Sequence, residues 1–281
     1  MEQRESARSP ERAVVRLSGK GCGLEEGPDS RYGVGMCGRV VTASGPEELS
    51  EHLGVDVVVD VLDGPDYNVA PSHQLPLAWT SDEDGRRLLG TAKWGLTPSW
   101  VKDPAIGERM FNARAETVAE KPSFRAAFQR RRCLVAVDGF YEWGPTGRLA
   151  GARTTRGRTT RQAWYVYRAD GSPLVLAGLW EHRRGLRTCS IITVPANDDL
   201  VPLHHRMPAV LEPVDWDGWL DDGHRDRSDL ESLLAPADDG TLARHTVHCR
   251  VNSARNKGSG LIEPADPVGM SMAVPDQGTL W

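Results

Sequence analysis

The sequence predicts a mixed, mostly antiparallel α+β domain. Two observations carry that reading. Short β-rich runs recur along the chain with only brief helical patterns between them. No glycine-rich phosphate loop joins a strand to a helix, which disfavours a doubly wound nucleotide-binding fold. The chain's 281 residues suffice for one large domain or two small ones, and 39% hydrophobic with 26% charged residues suits a packed globule.

Residues 1–35 are polar and glycine-rich, with no periodicity, and read as a disordered extension or an unused upstream start. Val40-Val41-Thr42 is a buried strand, broken at Gly45-Pro46. Pro46 then opens a short helix with Glu47 and Glu48 in its first turn. Residues 55–62 are β-rich, and Asp66 to Pro71 reads as a turn or loop. Leu75–Trp79 and Arg87–Trp94 form a strand pair around the turn at 81–85. A loop through Trp100 and Pro104 leads to the segment from Asn112 to Thr117. Lys121 to Arg131 has helical spacing, with Phe124 and Phe128 on one face. Cys133–Val137 is a buried strand that turns at Asp138-Gly139 into Phe140–Trp143. Strands follow at Trp164–Tyr167, Leu174–Leu179 and Thr188–Val194. A loop spans 204–208, short helices lie around Trp216–Leu220 and Leu230–Leu234, and a last strand is placed near His245–Val251. Residues 266–281 read as a tail.

Bulk properties exclude several classes. The longest apolar runs are strand-length, far short of the ~20 residues of a spanning helix, so no membrane association is expected. Five widely spaced cysteines (Cys22, Cys37, Cys133, Cys189 and Cys249) with no CxxC pair argue for free thiols in a reducing cytoplasm, and against structural zinc. Cys133, Cys189 and Cys249 read as buried fillers. The net charge of −5 opposes wholesale coating of nucleic acid but allows a local basic groove. Arginines gather at Arg125 and 130–132, and again through the Gly/Thr/Arg-rich stretch 148–161. The second set is a solvated loop or a phosphate contact.

The chemistry points to Met36-Cys37-Gly38-Arg39. If Met36 is the initiator, its removal leaves Cys37 with a free α-amine beside a thiol. Such a 1,2-aminothiol condenses with an aldehyde to an imine, and the thiol closes on the imine carbon to give a thiazolidine. The amine's pKa of about 7.7–8.0 leaves some of it free at neutral pH, and the thiol, near ~8.5, is readily activated by neighbours.

Seven segments in order resemble the SOS-response-associated peptidase family, whose members process abasic sites in single-stranded DNA. They are Met36–Arg39, Tyr67–Pro71, Trp94–Trp100, Asn112–Thr117, Asp138–Trp143, Leu203–Pro208 and Val251–Pro264. The resemblance covers about residues 36 to 265. It implies one compact domain with an open β-barrel-like core, peripheral short helices and a positively charged cleft. It also implies a covalent crosslink to DNA through the N-terminal cysteine. One departure matters: 35 residues precede Met36. A capped amine forms no imine, so translation is expected to start at Met36 or the extension to be removed.

The resemblance makes Glu142 the catalytic acid. Its aromatic neighbours Tyr141 and Trp143 suit a carboxyl kept protonated by desolvation, as sugar-ring opening and dehydration require. His204 is the second proton carrier, chosen over His205 by the His-x-Arg-Met-Pro spacing. Asn112 would orient the amine or the sugar. Arg39, Arg114 and Arg206 lie two residues from Cys37, Asn112 and His204 respectively and are expected to clamp phosphates. Gly38, Asn68, Pro71, Trp100, Trp143 and Thr193 match positions that line the family's cleft. The expected partner is single-stranded DNA containing an abasic site, bound by a cytoplasmic, nucleoid-associated monomer with no cofactor and no metal. Two other classes stay open. Cys37, His204 and Asn112 could serve a cysteine peptidase or N-terminal-nucleophile hydrolase, or the chain could be a non-catalytic module for single-stranded DNA.

Overall fold

The computed structural model describes residues 38–145, 161–221, 223 and 226–267. The extension, Cys22, Cys37, the arginine-rich stretch up to residue 160 and the tail from 268 lie outside them.

The core is a ring of five strands: β4 (Gln74–Thr80), β5 (Arg87–Trp94), β7 (Arg132–Val137), β10 (Leu174–Arg183) and β11 (Leu186–Pro195). Hydrogen bonding runs β11-β10-β7-β4-β5, and a short parallel contact (Thr188 with Lys93, Cys189 with Trp94) joins β5 back to β11. The barrel-like core is therefore present, and this contact closes it. Every residue of β7 is buried, so the strand reads as an unbroken apolar run rather than an alternating one. Three strands extend the ring: β2 (Val57–Val58) beside β5, with β6 (Asn112–Arg114) and β12 (Arg206–Pro208) beside β11.

A second sheet has the order β13-β9-β8-β1-β3, from β1 (Val40–Thr42), β3 (Asp66–Val69), β8 (Gly139–Pro145), β9 (Arg161–Arg168) and β13 (Leu242–Thr246). Strand alternation gives it two apolar faces. Val40, Phe140, Val166 and Leu242 join the large core. Val41, Tyr141, Ala163 and Tyr165 form a smaller cluster with Val247 and Val251.

Helix α1 (Pro46–Leu53) follows its sequence signals. Pro46 and two acidic residues open it, Leu49 and Leu53 are buried one turn apart, and Gly54 ends it in the left-handed region at φ 63°. Helix α2 (Ala115–Val118) follows β6 directly. Helix α3 (Arg125–Arg130) buries Phe128, while Phe124 sits at its N-cap. Helices α4 (Pro213–Leu220) and α5 (Arg227–Ser232) cover the core from outside. The buried Trp219 of α4 donates its indole N–H to the Cys133 carbonyl at 3.0 Å.

Several local expectations need correction. Asp66–Val69 is a strand, because its backbone pairs with β1 across Val40–Val69. The segments at 112–114 and 206–208 are strands too, since both pair with β11. Only Val57–Val58 of the 55–62 run is strand. The last strand ends at Thr246, and Cys249–Asn252 is a 3-10 turn. Cys249 is not a buried free thiol: it is half-buried and disulfide-bonded. Cys133 and Cys189 are free and buried. Burial pushes the Cys189 thiol up to about 12 and Cys133 well above its ordinary value, so both are inert fillers.

Candidate active site

The site begins where the described chain enters the second sheet. Val40 pairs with Phe140, and the Tyr141 N–H donates to the Arg39 carbonyl at 2.9 Å. Continuing this antiparallel register sets Gly38 opposite Glu142. On its other side Glu142 pairs with Trp164. Paired residues share a face, so Glu142 and Trp164 project together, away from the tyrosine cluster. Glu142 is only 4% exposed, which supplies the desolvated setting that its aromatic neighbours suggest.

Gly144 shares the Glu142 face, and it shows what lies across the gap. A β-carbon there would fall 2.6 Å from Leu203 Cδ2. Leu203 precedes His204, so the end of β8 and the histidine loop are in contact. The His204 Nδ1 accepts the Arg206 backbone N–H at 3.1 Å. The neutral ring therefore carries its proton on Nε2. Burial, followed by the adjacent His205, holds His204 below the ordinary histidine range. The two rings stack at 4.4 Å.

The next shell runs along β6, β11 and β12. Asn112 pairs with Ile191, and Thr193 pairs with both Arg114 and Pro208. Thr193 is buried and donates its hydroxyl to the Ala113 carbonyl at 3.1 Å. The three proposed phosphate clamps differ in kind. Arg206 is buried; its guanidinium forks onto the Glu116 carboxylate and also reaches the Thr193 hydroxyl at 3.2 Å. That pairing holds the Glu116 carboxyl below its usual range. Arg39 is also buried, with Nη1 donating to Asn68 Oδ1 and the Val251 carbonyl, each at 2.9 Å. Arg114 is exposed.

The second sheet's alternation divides the cleft residues between its faces. Arg39 lies over the Trp143 ring at 5.9 Å, and the Trp143 indole donates to Asn252 Oδ1 at 2.7 Å, on the face opposite Glu142. Asn68 is fully buried and ties this face to the polar segment after the last strand. Its amide donates to the carbonyls of Val251, Ser253 and Asn256 at 3.0–3.3 Å. Pro71 is half-buried in a turn whose next residue donates to the Trp94 carbonyl at 2.7 Å, so the Pro71 turn and the loop carrying Trp100 start side by side. Trp100 is 63% exposed, an open ring free to stack. Cys37 and arginines 148–158 lie outside the described residues, while Arg161 is close enough for its charge to depress His204.

In the other basic cluster Arg125 and Arg130 are exposed, while Arg131 and Arg132 are structural. Arg131 pairs with Glu181 at 2.6 Å. The buried Arg132 donates to the Trp219 and Phe128 carbonyls at 2.6 and 2.8 Å, closing the ends of α4 and α3. Sequence reasoning missed Trp164 and Gly144; their signal was the pairing partner of Glu142, which the sequence does not state. Among the described residues no group of His, Cys, Asp and Glu could hold a metal ion. No helix among them is long and apolar enough to cross a membrane.

Residues 36–254 match the family model described as SOS response associated peptidase (SRAP), and the chain belongs to that family. It is 36% identical over 234 residues to the Bacillus subtilis abasic site processing protein YoqW, covering 81% of this chain and 99% of that one. It is 29% identical to Escherichia coli abasic site processing protein YedK, over 82% of this chain and all of that one. Rat abasic site processing protein HMCES is 32% identical, and the match spans 65% of its length. A crystal structure of a Bacteroides thetaiotaomicron protein superposes with a TM-score of 0.67 at 24% identity, covering 82% of this chain and 100% of that one, which speaks for the fold alone.

Proposed function

We propose that this protein senses abasic sites in single-stranded DNA and captures them covalently through Cys37. The observation that carries this reading is the ladder register, which sets Gly38, the residue after Cys37, opposite the buried Glu142, with the His204 loop packed against the same strand. The names of the relatives support the substrate class.

An abasic deoxyribose is mostly a closed hemiacetal, so the ring must open first. Glu142, when protonated, donates to the ring oxygen as its bond to C1 breaks, and the C1 hydroxyl gives its proton to water to become the aldehyde. The Cys37 amine adds to the aldehyde carbon, giving a carbinolamine. Proton delivery to its hydroxyl expels one water and leaves the imine. The Cys37 sulfur then bonds to the imine carbon, and its proton passes to the nitrogen through His204, which completes the thiazolidine. Trp100 and Trp143 hold flanking bases while Arg39, Arg114 and Arg206 balance the backbone charge. The missing base lowers the unstacking cost of drawing the lesion into the cleft.

The family's peptidase description favours a second activity of the same residues. With Cys37 as nucleophile and His204 as base, the site would remove the segment before Cys37 itself.

The test is intact mass of the expressed protein, alone and after incubation with an abasic single-stranded oligonucleotide. The expected result is a chain beginning at Cys37 and a denaturation-resistant adduct that Cys37→Ala loses. An adduct on protein still carrying residues 1–35 would sink the thiazolidine mechanism. Turnover of peptides without any adduct would establish the hydrolase instead.

A further inference from the structure

Four tryptophans of this fold place their indole N–H on an acceptor. Trp94 donates to the Phe111 carbonyl at 2.8 Å, Trp143 to Asn252 at 2.7 Å, Trp216 to the Leu211 carbonyl at 3.0 Å and Trp219 to the Cys133 carbonyl at 3.0 Å. Trp164 does not. Its Nε1 is buried and has no hydrogen-bond partner among the described residues. An indole nitrogen is a donor only, and a buried donor left unmatched costs free energy comparable to a lost hydrogen bond. Such groups in folded proteins call for an explanation, often a catalytic role.

The position of this donor supplies one. Trp164 is the ladder partner of Glu142 and shares its face. Its nitrogen lies 3.4 Å from where a β-carbon on Gly144 would stand, and Leu203, the neighbour of His204, closes over the same point. The ring is held in place by Arg244, whose guanidinium sits 5.8 Å from its centre. Arg244 Nη1 is likewise buried without a partner. Beside Glu142, under the His204 loop, the fold therefore holds an N–H donor with no acceptor among the described residues, which a ligand reaches by displacing the Leu203 side chain. That arrangement fits an oxygen-bearing ligand.

We propose that Trp164 is a substrate-contacting residue, its indole N–H donating to an oxygen of the lesion sugar that Glu142 and His204 process. This inference rests on the covalent reading above. The bond fixes the opened sugar so that its aldehyde carbon faces the incoming amine.

Trp164→Phe tests it, because phenylalanine keeps an apolar ring for Arg244 to cover while removing the N–H together with one of the two fused rings. The rate of adduct formation at saturating abasic oligonucleotide is expected to fall about tenfold, in line with the loss of one hydrogen bond. Affinity for a lesion-free strand is expected to hold, while the melting temperature falls by the packing lost with the second ring, offset in part by removal of the unmatched donor. In wild-type protein the Trp164 indole N–H resonance, assigned by its absence in the variant, should move on adding an oligonucleotide with a tetrahydrofuran abasic analogue and stay still with a lesion-free one. A variant that crosslinks at the wild-type rate, or an unmoved resonance, overturns the Trp164 assignment while the covalent reading stands. Wild-type protein that forms no adduct overturns that reading, and this one with it.

Discussion

At the scale of single residues, two side chains make claims that pH and denaturant can check. His204 is held below the ordinary histidine range by burial first and by His205 second. A mechanism that uses neutral His204 keeps working below the ordinary ~6.5. The acid limb of adduct formation, followed from pH 5 to 8, is therefore expected below pH 6.5 in wild-type protein. His205→Ala removes one depressing charge and should move the limb upward; a limb already above 6.5 in wild type would remove His204 from the proton path. The linked stability has a definite sign. Because the folded pKa is lowered, the unfolded imidazole binds its proton first as pH falls, so folding loses stability below about 6.5. Glu116, also lowered in the fold, adds a further loss at more acidic pH.

Arg206 is the second case. Its buried guanidinium meets both Glu116 oxygens and the Thr193 hydroxyl and carbonyl. A phosphate has to displace Glu116 to reach it, and Glu116 is itself half exposed, which weakens the pair. Arg206→Ala is expected to cost about 2–3 kcal/mol of stability in urea titrations, mostly from the buried acceptors it abandons. A variant of wild-type stability with weakened DNA binding would make Arg206 a clamp first.

At the scale of elements, the end of β8 is the sensitive joint. Gly144 has Leu203 Cδ2 where its β-carbon would go. Gly144→Ala must therefore turn the Leu203 side chain aside and crowds the Leu203 Cα and the Trp164 indole, each 3.4 Å from the new carbon. The expected outcome is a slower crosslink with near-normal binding of lesion-free DNA, since the exposed Trp100 is untouched. Unchanged crosslinking would show that the packing of Leu203 and Trp164 at this point is not critical. Glycine there reads as one turn residue among many until the partner strand and the opposing loop are both placed.

At the scale of the whole molecule, the segment after β13 is stitched to β1 and β3 by Asn68, by Arg39 on the Val251 carbonyl and by Lys257 on Asp66. Asn68 is fully buried and holds carbonyls from Val251 to Asn256, and it accepts from Arg39. Asn68→Ala takes the donor from the Ser253 and Asn256 carbonyls and an acceptor from Arg39 Nη1, which keeps the Val251 carbonyl. We expect a loss of about 2–4 kcal/mol in chemical denaturation, with Arg39 and Trp143 released together. Such a variant would lose DNA affinity through disorder of that face, which hydrogen exchange across 248–257 would reveal. If exchange there is unchanged, Asn68 belongs to the DNA surface itself.

The sequence by itself determined the elements that rest on local chemistry. Pro46, Glu47 and Glu48 specified α1, the apolar run of β7 marked a covered central strand, and the ordered segments from Met36 to Pro264 specified the family. The candidates Glu142 and His204 could be named from the sequence for the same reason, because their motifs are contiguous. What needed the tertiary structure was anything set by pairing between distant strands. Asp66–Val69 and Arg206–Pro208 carry turn-like residues, yet they are strands because β1 and β11 supply their hydrogen bonds. The three arginines look alike along the chain, and only folding shows two of them buried against Glu116 and Asn68 and one open to solvent. Trp164 gains its place beside Glu142 from a register more than twenty residues removed in sequence. Propensity and motif act over a few residues, whereas the partner of a strand, and so the face and company of each side chain, is chosen by the packing of the whole core.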